Sequence, residues 1–149
     1  MRLVLYQPDM PGNVGTLLRL AACLEVPVDI IEPCGFPFSD RGLKRAGMDY
    51  AAAARLDRHD DWTAFRAARR ERLVLLTVRA SQFHVDAAYR PDDLLMVGSE
   101  GAGVPAVVHE AADLRVRVPL AKDMRSLNVA VAAAMVLGEA LRQTGQFPS

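Results

Sequence analysis

Apolar residues in this chain gather in short continuous runs. RLVLY (2–6), VPVDII (26–31), RLVLLTV (72–78), DLLMVG (93–98) and LRVRVP (114–119) each read as a strand. Between them the spacing becomes helical. The segment Asn13 to Glu25 carries Leu17, Leu18, Ala21 and Leu24 on one side, with Asn13 as its expected N-cap. Further helices are predicted over Asp40–Ala46, over Asp60–Arg70 and after Pro105, and a long terminal one behind RSLN (125–128). Continuous strands alternating with helices imply an α/β fold, a mostly parallel sheet flanked by helices. Nothing in the 149 residues looks like a repeat, a low-complexity tract or a linker, so one domain over 1–149 is expected, without an accessory domain.

Composition narrows the partners. Eighteen basic and eighteen acidic residues give a formal net charge of zero, so a nucleic acid would have to be held by a local patch. Cys23 and Cys34 are too few and too far apart for a zinc site and suit a reducing cytosol; Cys23 falls in an apolar helical pattern and is expected in the core. MRLVLYQPDMPGN turns polar too early for a secretion signal. The longest apolar run, Val129–Leu137, is far shorter than the ~20 residues of a membrane span. A cytoplasmic protein without membrane contact is expected.

The polar and glycine-rich stretches mostly follow strands: QPDMPGN after the first, GSEGAGVP (98–105) after the one ending at Val97, PLAKDMRSLN (119–128) after the last. Ligands of open α/β sheets bind beyond the carboxyl ends of strands, so these loops either form one composite site or simply connect elements. Gly98, Gly101 and Gly103 make GxxGxG, which differs from the GxGxxG of dinucleotide-binding folds. Glu100 places a carboxylate among them.

Ser126 or Asn128 can cap the terminal helix, and a helix start facing a cleft offers donors to a ligand. The Ala and Val residues around that helix imply packing on all sides, in a core or against a partner subunit. Arg41, Lys44 and Arg45 share a helical face and, with Arg19 and Arg125, could bind a phosphate backbone; a solvated face is the alternative. Arg66, Arg69, Arg70 and Arg72 read as a solvated helix end. His59, His84 and His109 show no ligand or triad spacing, and no zinc, P-loop or Ser-His-Asp signature occurs.

Three segments taken together carry a resemblance. LYQPDMPGNVGTLLRLAA, GSEGAGVP and VPLAKDMRSLNVAVAAAMVLGEALRQ resemble, in this order, the three motifs of the SpoU (TrmH) branch of the SPOUT RNA 2'-O-methyltransferases. IEPCGF, LKRAGMDY and RHDDW are similar to further segments of its TrmL-type subgroup, which methylates cytidine or uridine 34 of tRNA. Ser99, Gly101 and Ala102 depart from that subgroup toward the wider SpoU pattern.

The resemblance implies a SPOUT-type sheet with a C-terminal trefoil knot, and a homodimer with its site at the interface. It implies S-adenosylmethionine as methyl donor, S-adenosylhomocysteine as product and no metal. The substrate would be the wobble ribose in the anticodon stem-loop of tRNA, with neither DNA nor membrane as partner. By the same likeness, Leu76, Gly98, Gly103, Val118 and Ser126 hold the cofactor, and Asn13, Arg19, Glu100, Ser126 and Asn128 surround the target hydroxyl. Arg19, Arg41, Lys44, Arg45 and Arg125 would contact RNA. A guanidinium resists deprotonation, so Arg19 is read as a clamp on phosphate or ribose and Glu100 as the proton acceptor or network anchor. The alternatives are a SpoU-type enzyme acting on another tRNA or rRNA position, and a catalytically silent RNA-binding protein of the same fold.

Overall fold

A computed structural model of the protein describes residues 1–39, 41 and 53–149. Seven strands form one parallel sheet: β1 (Arg2–Tyr6), β2 (Val28–Ile31), β3 (Leu56–His59), β4 (Leu73–Leu76), β5 (Gln82–Phe83), β6 (Leu94–Val97) and β7 (Leu114–Arg117). Their order is β3-β2-β1-β6-β4-β7-β5. Among the described residues, four helices accompany them: α1 (Pro11–Cys23), α2 (Trp62–Ala68), α3 (Ala106–Ala111) and α4 (Val129–Thr144), with a 3-10 turn at His84–Asp86.

The continuous apolar runs are explained by the two cores they serve. Successive strand residues point to opposite faces. Leu3, Leu5, Ile30, Leu95 and Val97 join Leu17 and Leu18 of α1 and Val136 and Leu137 of α4 in one cluster. Val4, Tyr6, Ile31, Leu75 and Met96 join Phe65 of α2 and Val108 of α3 in the other. β2 and β6 are buried at every position.

β3 and β5 escape the hydrophobic pattern. Both lie at sheet edges: β3 reads Leu-Asp-Arg-His with two exposed residues, and β5 has only Gln82 and Phe83. A short, polar edge strand deters pairing with other chains and carries no apolar run to betray it.

Helix α1 starts at Pro11, two residues before the expected cap. Proline suits the first helical position because its missing N–H needs no partner there. Asn13 is therefore inside the first turn and not at the N-cap. Asp61 caps α2, its Oδ1 accepting from Ala64 N at 2.8 Å, which makes that helix shorter than Asp60–Arg70. Cys23 is exposed, contrary to expectation. The pKa of the half-buried Cys34 thiol is pushed up to about 11, first by loss of solvent and then by Glu32. The helix expected over 40–46 lies outside the described residues except for Arg41, which is exposed.

Charges pin the amino ends of the strands. Asp29 of β2 is wholly buried and is met by Arg2 of β1, by His59 Nε2 at 2.6 Å and by Arg69 Nε at 3.3 Å. Arg2 and Arg69 also reach Asp57 of β3, at 2.6 and 2.8 Å. Arg72, just before β4, forks onto buried Asp93, just before β6, at 2.7 and 2.6 Å. Hydrogen bonding to that carboxylate raises the affinity of Arg72 for its proton. Arg69 and Arg72 thus belong to the fold and not to a solvated helix end.

Removing Asp29 would leave three basic groups facing a buried void. Asp29→Ala is expected to cost about 3–5 kcal/mol in urea unfolding. Asp57→Ala, whose side chain is half exposed, should cost under about 1 kcal/mol. Equal losses would contradict this assignment.

Candidate active site

All strands run in parallel, so their carboxyl ends open on one side. β6 lies between β1 and β4, and β7 flanks β4 beyond it. The loops after β1, β4, β6 and β7 consequently converge, and a cavity of about 790 Å³ lies among them. That volume is within the range of small-molecule and cofactor pockets.

The sequence candidates gather here. Leu76, Gly98, Gly103, Val118 and Ser126 line the cavity. Asn13, Glu100, Arg125 and Asn128 line it too. Arg19 does not. It lies exposed on α1 along the stripe Gly12, Thr16, Arg19 and Cys23, away from the cavity that this single chain encloses. Arg41 is exposed and is no part of the lining, while Lys44 and Arg45 lie outside the described residues.

The glycine loop is folded back on itself. Ser99 and Gly103 pair in both directions, Ser99 N donating to Gly103 O at 3.1 Å and Gly103 N to Ser99 O at 2.9 Å. A Cβ on Gly98 would stand 2.6 Å from the carbonyl carbon of Gly103, which no side chain tolerates. Gly103 has φ +64°, the left-handed region where glycine carries no steric penalty. Two non-glycine residues in the neighbouring loops share that region, Gln7 (φ 41°) and Asp123 (φ 70°). Backbone strain of this kind concentrates at functional sites.

A polar chain crosses the cavity rim. Asn128 caps α4, its Oδ1 accepting from Ala130 N at 2.9 Å and Val131 N at 3.3 Å. The cap is thus Asn128, not Ser126, and it takes up amides that would otherwise face a ligand. With its oxygen so committed, Asn128 turns its amide nitrogen outward, and Nδ2 donates to Asn13 Oδ1 at 3.0 Å. Asn13 Nδ2 in turn donates to Glu100 Oε1 at 2.9 Å. The direction of every link follows from the cap, because each amide has one accepting and one donating end. Asn13 is buried to 9% exposure, so its amide needs both partners.

Hydrogen-bond donors therefore arrive at Glu100, which must accept. Its second oxygen accepts from Asp9 N at 3.4 Å. Each carboxylate oxygen keeps further lone-pair capacity, so the group can take a proton or a hydroxyl hydrogen bond from a substrate. Arg125 and Ser126 stand exposed on the rim beside Asn128.

Sequence reasoning missed several lining residues. Met10, Thr77, Arg79, Arg117 and Leu120 all border the cavity. The Arg117 guanidinium lies 4.8 Å from the ring centroid of Phe83. Thr77 and Arg79 follow β4, a strand end that signals nothing because no glycine or polar cluster marks it. Asp9 is in view within QPDMPGN, but its partners are some 90 residues away in sequence. Among the described residues, no three His, Cys, Asp or Glu side chains stand close enough to hold a metal ion.

Comparison with known proteins places the chain in a family. A tRNA (cytidine(34)-2'-O)-methyltransferase of Beijerinckia indica is 62% identical over 146 residues, covering 96% of this chain and 91% of the relative. The Escherichia coli K12 protein of the same name is 39% identical over 148 residues, covering 97% and 94%. A solved structure described as giving insights into the 2-OH methylation of C/U34 on tRNA superposes with a TM-score of 0.88 at 39% identity, covering 95% of this chain and 94% of its own. The SpoU methyltransferase AviRb of Streptomyces viridochromogenes, solved in complex with AdoMet, superposes at 0.80 with 25% identity, covering 96% of this chain and 60% of its own. Residues 1–138 match the model of the SpoU rRNA Methylase family, and the protein belongs to that family.

Proposed function

We propose that this protein transfers the methyl group of S-adenosylmethionine to the ribose 2'-oxygen of nucleotide 34, cytidine or uridine, in the anticodon stem-loop of tRNA, and that it acts in the cytoplasm. The observation that carries the chemistry is the directed chain from Asn128 through Asn13 to Glu100 at the mouth of the cavity. The target nucleotide is carried over from the tRNA (cytidine(34)-2'-O)-methyltransferases that this chain resembles over nearly its whole length.

The cofactor would supply an activated methyl sulfonium, leaving as S-adenosylhomocysteine. Gly98 and Gly103 border the cavity together with Leu76 and Val118, so an adenosine held there would lie along main chain and apolar side chains. Ser126 adds a hydroxyl. At the rim, Glu100 accepts the ribose hydroxyl proton as the new C–O bond forms, while Asn13 and Asn128 hold its carboxylate in place. Alignment of the hydroxyl supplies much of the rate, since holding reactants in place substitutes for lost translational entropy.

Arg19 acts from a second copy of the chain in this reading. It lies outside the cavity of its own protomer, and the homodimer is proposed on the open stripe of α4 beside α1. Val131 and Met135 there are 51% and 45% exposed, and Leu127 just before the helix is 38% exposed. A helix that shows large apolar side chains along one stripe is one that packs against a partner. Arg19 of one protomer would then clamp the target phosphate or ribose at the other's site. Arg41, Lys44, Arg45 and Arg125 contact the tRNA backbone.

Labelled S-adenosylmethionine with unmodified tRNA should place label on the 2'-oxygen of nucleotide 34. Label on another ribose would overturn the position and keep the chemistry; cofactor binding without transfer would favour a silent RNA-binding protein.

Arg19→Lys should lower kcat/KM by roughly tenfold or more, because lysine lacks the bidentate fork. Full activity in that variant would sink the clamp. Reversing the charges of Arg41, Lys44 and Arg45 together should raise KM for tRNA and flatten its salt dependence, by about one unit of slope for each phosphate no longer neutralised. An unchanged KM at low and moderate salt would remove these residues from the interface.

A further inference from the structure

The loop after β1 and the glycine loop after β6 grip each other in both directions. Asp9 Oδ1 accepts from Glu100 N at 3.2 Å and Asp9 Oδ2 from Gly101 N at 3.3 Å, while Asp9 N donates back to Glu100 Oε2 at 3.4 Å. Each bond is long, but three between two short segments leave little freedom of relative orientation. Asp9 is itself braced from behind. Gly35 N donates to Pro8 O at 2.9 Å, and a Cβ on Gly35 would meet Asp9 Cβ at 2.8 Å and Cα at 2.9 Å. The loop after β2 therefore packs main chain against Asp9.

We infer that Asp9 is a positioning residue for Glu100, gripping the backbone of the glycine loop so that the Glu100 carboxylate meets Asn13 on one oxygen and presents its remaining lone pairs to the substrate hydroxyl. The inference rests on the reading of Glu100 as the group that takes the ribose proton. A glutamate on a short loop has many orientations to choose from. Asn13 secures one oxygen from the α1 side and the Asp9 amide the other, while the Asp9 carboxylate fixes the main chain from which the side chain springs. Asp9 itself is exposed and outside both cores, so its work is orientation and not packing.

The test compares Asp9→Ala, Asp9→Asn and Gly35→Ala with the wild type, each alone and combined with Glu100→Gln. Asp9→Ala removes both acceptors, and Asp9→Asn turns one acceptor into a donor facing an amide N–H. Gly35→Ala displaces Asp9 without touching the glycine loop. Steady-state methyl transfer to tRNA gives kcat and KM; calorimetric titration with S-adenosylhomocysteine gives cofactor-site affinity; thermal unfolding checks the fold.

The expected result is a fall in kcat of about 10- to 100-fold in all three variants, the scale of a misplacement near 1 Å. S-adenosylhomocysteine affinity and KM for tRNA should change less than about threefold. In the Glu100→Gln background the same substitutions should slow the enzyme no further, since residues acting through one group are not additive. Unchanged kcat, an equal slowing of the Glu100→Gln enzyme, or a loss of S-adenosylhomocysteine affinity as large as the loss of rate would each overturn the positioning role. A wild type without transfer to tRNA would instead overturn the proposed function, and full rate in Glu100→Gln alone would remove the proton acceptor on which the inference stands.

Discussion

The hydrogen bonds of one side chain, Asn128, tie the stability of this fold to its site. The first amides of a helix lack partners within the helix, and α4 is the longest helix described, so an uncapped start would be costly. Asn128 satisfies two of those amides with a single oxygen. Because the oxygen is spent on the cap, its nitrogen must donate elsewhere, and Asn13 receives it. Asn13 then has only its own nitrogen to give, and it gives it to Glu100. A structural requirement at one helix start thus fixes the hydrogen-bonding state of a carboxylate two links away. Serine at 128 could cap as well, but it could not send an amide donor onward.

The sheet separates two polar clusters. Asp29, Asp57, Arg72 and Asp93 stand at or just before the amino ends of strands, where burial and fork geometry hold β1, β2, β3, β4 and β6 in register. Asn13, Glu100 and Asn128 gather beyond the carboxyl ends. Parallel strands make this division possible, because every chain reversal on the site side is a loop with freedom to vary. Strain is admitted there as well, at Gln7 and Asp123 and in the tight turn at Gly98.

Much of this is legible in the sequence, for a physical reason. Strands buried on both faces are largely apolar, so β1, β2, β4 and β6 announce themselves, and β7 is legible from the alternation of Leu114, Val116 and Val118 with arginines. Glycines that must lie against another main chain, such as Gly98 on Gly103, mark a loop that cannot be an ordinary connection. Edge strands β3 and β5 are not legible, since an edge needs polarity more than burial. Arg69 and Arg72 look like solvent-facing charges because their buried acceptors, Asp29 and Asp93, lie 40 and 21 residues away in sequence. Asp9 is hidden for the same reason. The start of α1 is ambiguous because Pro11 and Asn13 are both start signals, and the one that fixes φ without needing a side-chain bond takes the first position. The three-motif resemblance brings Asn13, Glu100 and Asn128 into view together, yet the direction of the chain joining them comes only from the geometry.

The same helix also joins the site to the open surface of the chain. Leu127 lies between Ser126 and Asn128, just before the helix, and Val131 and Met135, one turn apart on α4, continue an exposed apolar stripe that no part of the described chain covers. On the opposite side of α4, Ala133, Leu137 and Ala140 are fully buried against the sheet. Anything that covers the stripe must therefore come within one residue of the capping network. α1 packs beside α4 and carries Arg19 on its own exposed face, so a second copy seated there would bring a guanidinium to a rim that otherwise holds Arg125, Ser126 and the Asn128–Asn13–Glu100 chain. In the proposed homodimer, burying the stripe and completing the site would become one event. The second copy would then supply the cation that one chain leaves outside its own cavity.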